Sequence, residues 1–388
     1  MNTSTRRRDP VDEAAEELCE AVLGSLRRSD QRARGRQYVR GLLATEGRKS
    51  IRNIAQQLGG PAAEQNLHHF IAGSTWDWQP VRTALSRYLE ESTPLTAWVA
   101  QPMAFPKGGE HSVGAGHRFD PHRGQMFRGQ QAFGIWFTSA GVNTPVGWRL
   151  FLPSEDAEES YEECAVTGVL DTVRQCRMPS RPVVLDVRGI GTRSTMNRFH
   201  EAGLPVLARI GASARLLVTD PALPGYGAGA AGARDILQSV RGLRVPVEWP
   251  DPSHPGARRT SLVAAVRVMM PDPSPVRRRE LLLFGEWTDP RRPPARLWMT
   301  DLTRLAPAAV LRLTKQARRV SAVASAASVR EVGLRDFGGR SLSGWHRHVT
   351  MASVAHAARC LGTRVSRAGE LPDPAPSRNH GPRRPAGL

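Results

Sequence analysis

Pro182-Val183-Val184-Leu185-Asp186 is a run of three aliphatic residues closed by a carboxylate. A short apolar run without alternation is the pattern of a strand buried on both faces, and such strands belong to the parallel part of an α/β sheet. Working outward, Ala97-Trp98-Val99-Ala100, Gly134-Ile135-Trp136-Phe137-Thr138 and Gly147-Trp148-Arg149-Leu150-Phe151-Leu152 read as three earlier strands. The turns between them are rich in Gly, Pro and Asn. A helix around 164–175 separates these strands from Asp186, and Pro205-Val206-Leu207-Ala208-Arg209-Ile210 follows as a further strand. After the Gly- and Ala-rich stretch Gly225–Gly232, residues 243–287 look mostly extended. From Thr303 the pattern turns helical, with Leu305, Val310, Leu313 and Val320 on one face, and Trp345-His346-Arg347-His348 begins a last amphipathic helix. Strands interleaved with helices in this order define an α/β fold around a mixed sheet.

The N-terminal part is helical by the same reasoning. Val11, Ala15, Leu18, Val22 and Leu26 recur at helical spacing, and Ser29-Asp30 offers a cap for a second helix carrying Tyr38, Leu42 and Leu43. Ser50 suits the N-cap of a short helix through Ile51, Ile54, Ala55 and Leu58, and Pro61 suits the first position of another helix that ends near Gly73. The Gly59-Gly60 turn between them completes a helix-turn-helix silhouette. Arg48, Lys49, Arg52, Asn53, Gln65, Asn66, His68 and His69 there supply donors for phosphates or base edges, while Leu67 and Phe70 anchor the core. Trp76 and Trp78, on either side of Asp77, read as packing pins.

A chain of 388 residues that is 40% hydrophobic is able to bury a substantial core in two or three lobes. Lys plus Arg outnumber the acids 54 to 36, and a net charge of +18 favours a polyanionic partner. Cys19, Cys164, Cys176 and Cys360 have no metal-ligand spacing, which reads as reduced thiols. His346 and His348 are two apart and do not face one site. With no apolar run long enough for a bilayer and no signal-peptide core, the expected location is the cytoplasm, near the nucleoid.

Several further blocks keep a fixed order: Arg48-Lys49-Ser50-Ile51, Leu67-His68-His69-Phe70, Trp76-Asp77-Trp78, Phe105-Pro106-Lys107-Gly108-Gly109, Trp148-Arg149-Leu150-Phe151-Leu152-Pro153, Leu283-Phe284-Gly285-Glu286-Trp287, Leu297-Trp298-Met299-Thr300-Asp301 and Glu331-Val332-Gly333-Leu334. Together they resemble the DDE-superfamily transposases of bacterial insertion sequences, the insertion-sequence 701 group, over residues 36–362. The resemblance implies an RNase H-like mixed sheet with a β-rich insertion, preceded by an all-α helix-turn-helix-type domain. The expected segments are 1–95 (helical, DNA-binding), 96–204 (first part of the core), 205–300 (insertion and returning strands), 301–365 (C-terminal helices) and 366–388 (disordered tail).

In that family two Asp and one Glu hold two Mg²⁺ ions, which need hard, charged oxygen ligands. Here the first Asp falls on Gln101, the second on Asp186 and the third, four residues after Arg318, on Ala322, while the retained Arg318 is implied as a further DNA-binding residue. The family's Lys seven residues further falls on Val329. No acid lies between Asp301 and Glu331, and Glu331, nine residues beyond Ala322, faces away at about 100° per residue. Glu110 and Asp120, the other candidates for a first ligand, lie in the turn after the strand. The acidic run Glu155–Glu163 stands where the family is expected to be basic. The resemblance therefore implies a catalytically inactive, transposase-derived protein binding double-stranded DNA without metal or cofactor, with a homodimer as a candidate assembly. Two alternatives stand beside it: an active Mg²⁺-dependent transposase with displaced carboxylates, and a scaffold that does not bind DNA.

Overall fold

The computed structural model describes residues 9–108, 111–120, 124–152, 159–187, 191–250, 256–271, 279–294, 296–327 and 331–369. Glu110, Glu155, Val329 and the tail expected at 366–388, apart from its first residues, lie outside them.

Asp9 accepts a hydrogen bond from the Val11 N–H, and Pro10 fills the first turn of α1 (Pro10–Leu23). α2 (Ser29–Ala44) starts one residue earlier than a Ser29 cap would require. Arg28 holds the capping position, and its guanidinium is clamped on Asp30 at 2.9 and 2.8 Å. In α3 (Ile51–Gln56) the Ser50 hydroxyl caps the Asn53 N–H, as the sequence suggests. Gly60 at φ 76 turns the chain and Pro61 opens α4 (Pro61–His68), which widens into a π turn over His69–Gly73. α5 (Gln79–Ser92) completes the helical region.

The sheet begins with β1 (Ala97–Pro106), β2 (Gly116–Asp120), β3 (Gln125–Thr138) and β4 (Asn143–Leu150). The helix α6 (Tyr161–Cys176) is opened by a capping box in which Ser160 and Glu163 satisfy each other's N–H groups. It leads to β5 (Val183–Leu185), α7 (Thr192–Glu201) and β6 (Val206–Ile210). The strands order β4-β3-β1-β5-β6, antiparallel as far as β1 and parallel from β1 to β6. β1 outruns the Ala97–Ala100 reading. Pro102 lacks a ladder donor, but the parallel pairing with β5 ends at Ala100–Leu185, so beyond that point β3 is the partner that carries the strand.

Residues 205–300 are β-rich, yet they extend the same sheet. β7 (Arg215–Val218), β8 (Ala231–Gly232), α8 (Ala233–Ser239), β9 (Val245–Pro250), β10 (Arg258–Met269) and β11 (Leu281–Trp287) lead to β12 (Arg296–Thr300), which returns antiparallel to β6. α9 (Pro307–Ala326) crosses the face of β1 and β5. α10 (Leu342–Gly369) packs on α1, α2 and β4. Arg82 of α5 is buried beneath it, donating to Thr350 Oγ1 at 2.8 Å and paired with His346 Nδ1 at 3.1 Å. Tyr38 Oη meets His348 Nδ1 at 2.8 Å, so the helical region and the last helix share one core.

Candidate functional site

Ala100 of β1 lies beside Leu185 of β5, which makes Gln101 and Asp186 neighbouring positions just past the parallel pairing, with Asp186 following the end of β5 and Gln101, expected at a strand end, in the middle of the longer β1. α9 overlies them. Ser321 and Ser325, on either side of the exposed Ala322, line a cavity of about 100 Å³ with Gln101. The first two positions aligned with the family's carboxylates thus stand side by side, and α9, which carries Ala322, packs across their strands.

Their chemistry differs from a metal centre. Asp186 is 8% exposed, and each of its oxygens receives a guanidinium: Arg209 Nη1 on Oδ1 at 2.9 Å and Arg296 Nη1 on Oδ2 at 2.8 Å. Arg209 comes from β6 and Arg296 from the first position of β12, the returning strand of the insertion. Gln101 is buried, and its amide turns back to donate to the Pro102 carbonyl at 3.1 Å. Ala322 has no donor atom. Two Mg²⁺ ions need several charged oxygens, and here one carboxylate already sits between two fixed cations, so these residues do not fit the metal pair. Among the described residues no group of three His, Cys, Asp or Glu is placed to hold an ion.

The positive charge continues outward. Arg318, exposed one turn before Ala322, lies close enough to Arg296 and Glu286 to act on both electrostatically. Burial pushes the Arg296 guanidinium below its ordinary value, with Asp186 opposing that shift. Asp120, weighed as a displaced first ligand, ends β2 and lines the Gln101 cavity, but Asp186 is not among the residues lining it. Glu331 turns to the last helix, 3.9 Å from Arg359 Nε and 4.0 Å from His356 Nε2.

Beside this centre is a buried pair that the sequence did not announce. Lys315 of α9 and Glu286 of β11 form an ion pair, both nearly excluded from water. Ser261 Oγ donates to Glu286 Oε1 at 2.7 Å, Trp249 Nε1 donates to Ser261 Oγ at 2.8 Å, and the Lys315 ammonium lies 3.9 Å from the centre of the Trp249 ring. Glu286 stands within a block quoted for the resemblance, but its partner is 29 residues on, a separation that no local pattern resolves.

In the helical region Arg48, Arg52, Gln65, His68 and His69 are exposed on and around α3 and α4. Lys49 is a correction: it is 3% exposed, its ammonium donates to the Thr45 carbonyl, and its backbone N–H donates to Asp336 Oδ2 at 2.7 Å. A phosphate does not reach it. Gly333 explains the enclosure, since it sits at φ +61 with the Lys49 side chain against its α-carbon. A Cβ there would fall 2.4 Å from Lys49 Cγ. Left-handed backbone costs a non-glycine residue about 1–2 kcal/mol and overpacking adds more. Gly333→Ala is expected to lower stability by about 2 kcal/mol in urea denaturation, and an unchanged midpoint would show that the contact is slack.

The tryptophans act as pins. Trp76 stacks on Phe70 at 5.1 Å between centroids and donates to the Phe70 carbonyl, and Trp78 stacks on His346 at 4.6 Å. Burial pushes His346 down to about 2 and His348 down to about 4, so both rings are neutral packing groups at ordinary pH.

A mixed sheet of order β4-β3-β1-β5-β6, with an acid at the end of its first parallel partner and a long helix laid across that end, defines an RNase H-like protein of the DDE type. The chain belongs to the DDE superfamily endonucleases: the model of that family matches residues 21–268. Membership implies nucleic acid as the partner. No curated protein matches the chain. No helix among the described residues is long and apolar enough to cross a membrane.

Proposed function

We propose that the chain is a catalytically inactive, transposase-derived protein of the insertion-sequence 701 type that binds double-stranded DNA through α3 and α4. The observation that carries the inactive half is the double guanidinium clamp on Asp186, next to the amide of Gln101. Arg209 and Arg296 bring two positive charges to the carboxylate where two metal ions would bring four, and as fixed cations they cannot polarise water or stabilise a leaving oxygen as a metal does. The DNA-binding half rests on the exposure of Arg52, Gln65, His68 and His69 around a capped helix-turn-helix, together with the net charge of +18.

Full-length protein incubated with supercoiled plasmid and Mg²⁺ or Mn²⁺ is expected to leave the plasmid intact. Metal-dependent nicking that disappears in Asp186→Ala would overturn the inactive reading, as would an Asp186-dependent micromolar Mn²⁺ site in calorimetry. A second reading, an active enzyme with a displaced carboxylate, draws on Asp120 lining the Gln101 cavity, and the same assay with Asp120→Asn decides it. Site-specific use as a regulator requires roughly 10³-fold discrimination over bulk DNA. Discrete peaks in genome-wide crosslinking would support that role, and a uniform signal would point to a remnant.

A further inference from the structure

Two cavities, of about 400 and 610 Å³, share Ser25, Asp77 and Pro80 and so form one open valley. Three elements wall it. The turn between α1 and α2 brings Arg27 and Arg28, one face of α5 brings Pro80, Ala84 and Arg87 at helical spacing, and the end of α6 brings Arg174 and Arg177. Arg28 is held by Asp30 and Arg174 by Asp171. Arg27, Arg87 and Arg177 are exposed, and none of these three side chains has a hydrogen-bond or ion-pair partner among the described residues. Asp77 is the one carboxylate lining the valley among them. It accepts the Gln79 N–H at 2.9 Å, and its charge acts on the buried guanidiniums of Arg82 and Arg347. Residues 1–8, ahead of α1 in the sequence, include no acid. Glu155, Asp156 and Glu158 precede the opposite end of α6, whose 16 residues span about 24 Å.

The valley opens where α4 ends. The Ser74 N–H donates to the His69 carbonyl at 2.7 Å, and the Ser74 hydroxyl accepts from the Gln31 amide at 3.3 Å. Gln31 and the next residue, Thr75, both line the valley, so it begins one turn beyond the exposed His69. Exposed guanidiniums without acidic partners attract a polyanion, and each phosphate they neutralise releases counterions. We infer that this valley is a track for the phosphate backbone of duplex DNA, flanking the segment held by α3 and α4. The inference rests on the DNA-binding reading above and adds to it a contact outside both the helix-turn-helix and the carboxylate face. Leu26 and Trp76 in its floor are buried, which leaves little of the apolar anchorage that a protein partner uses. From Pro80 to Arg87 α5 rises ~10 Å, about three base-pair rises, so one strand passing along it meets the arginines of α5 and α6 in turn.

The test is binding of a labelled random-sequence duplex to the full chain across a salt series, read by fluorescence anisotropy. Arg87→Gln/Arg177→Gly is the informative variant. Arg177 has φ 52, the left-handed region that glycine adopts at no cost, so that change removes a charge while easing the backbone; thermal melting confirms the fold. The double variant is expected to weaken binding and to flatten the slope of log K against log salt by about 0.9 to 1.8, the value of one or two lost phosphate contacts. Arg27→Gln/Arg87→Gln, which leaves the end of α6 untouched, is expected to act in the same direction. Arg215→Gln, which removes an exposed charge from β7 at the far end of the sheet, is expected to leave the slope as it was. An unchanged slope in both double variants overturns the inference, and so does an equal flattening by Arg215→Gln, which would show net charge alone at work. If the double variants instead change the oligomeric state in sedimentation while the slope stays put, the valley seats an acidic surface of a second copy and the inference fails. Loss of binding in Arg52→Ala/His69→Ala, with full binding in both double variants, would sink the valley alone. No duplex binding by the native chain would sink the valley and the DNA-binding reading together.

Discussion

Replacing Asp186 with asparagine is expected to lower the stability of the folded chain by about 3 kcal/mol, the low end for breaking a buried ion pair. The amide keeps the shape and removes the charge, which leaves Arg209 and Arg296 side by side, at 14% and 30% side-chain exposure, without the carboxylate they share in the native chain. The partial exposure of Arg296 is why the low end applies. A carboxylate kept for metal binding behaves in the opposite sense, because with the ion absent its removal relieves a local excess of negative charge. Urea denaturation without divalent ions therefore separates the two roles. A neutral or stabilising Asp186→Asn would contradict the structural role of the clamp, and Arg296→Gln in the Asp186→Asn background should recover part of the loss.

Lys315→Met is expected to cost more, about 3–5 kcal/mol, because it strands Glu286 in the core beneath α9. The double variant Lys315→Met/Glu286→Gln should recover most of that loss, since no buried charge is then left over. The pair also sets an acid limit. Burial alone would raise the Glu286 carboxyl, but hydrogen bonds from Lys315 and Ser261 outweigh it and hold the carboxyl below its ordinary range. A carboxylate depressed in the folded state contributes stability that is present above its unfolded value, near 4.3, and is lost as the pH falls through the folded value. Chemical denaturation at a series of acidic pH values should show this loss in the native chain and its absence in Glu286→Gln. Parallel curves for the two would remove Glu286 from the account.

The elements that the sequence made legible are those whose cause is local. Ser50, Pro61 and Gly60 mark α3 and α4 because caps and turns act over a few residues, and Val183-Val184-Leu185 marks a buried strand because nothing polar interrupts it. Gln101 and Asp186 stand in adjacent strands, as the block order implied. What escaped was set by distant partners. β2 is a short edge strand whose Arg118 and Phe119 give no alternation, and it exists because β3 is long enough to pair with it. Lys49 reads as a surface cation until Gly333 and Asp336, far along the chain, close over it. Arg209 and Arg296 look like ordinary strand arginines. Only the antiparallel return of β12 onto β6 brings both to Asp186.

The placement of α10 bears on the order in which the chain is made. Gly362 lies against the backbone of Val11, so the first helix is completed by nearly the last one. At about 5–20 residues per second of synthesis, Val11 emerges roughly 20 to 70 s before Gly362 exists. During that interval Tyr38 lacks His348 and the α10 face of α1 is uncovered, so the helical region is held by its own contacts alone. A ribosome that stops short of α10 therefore releases not a smaller DNA-binding module but a chain with an open seam, fit for a chaperone or a protease.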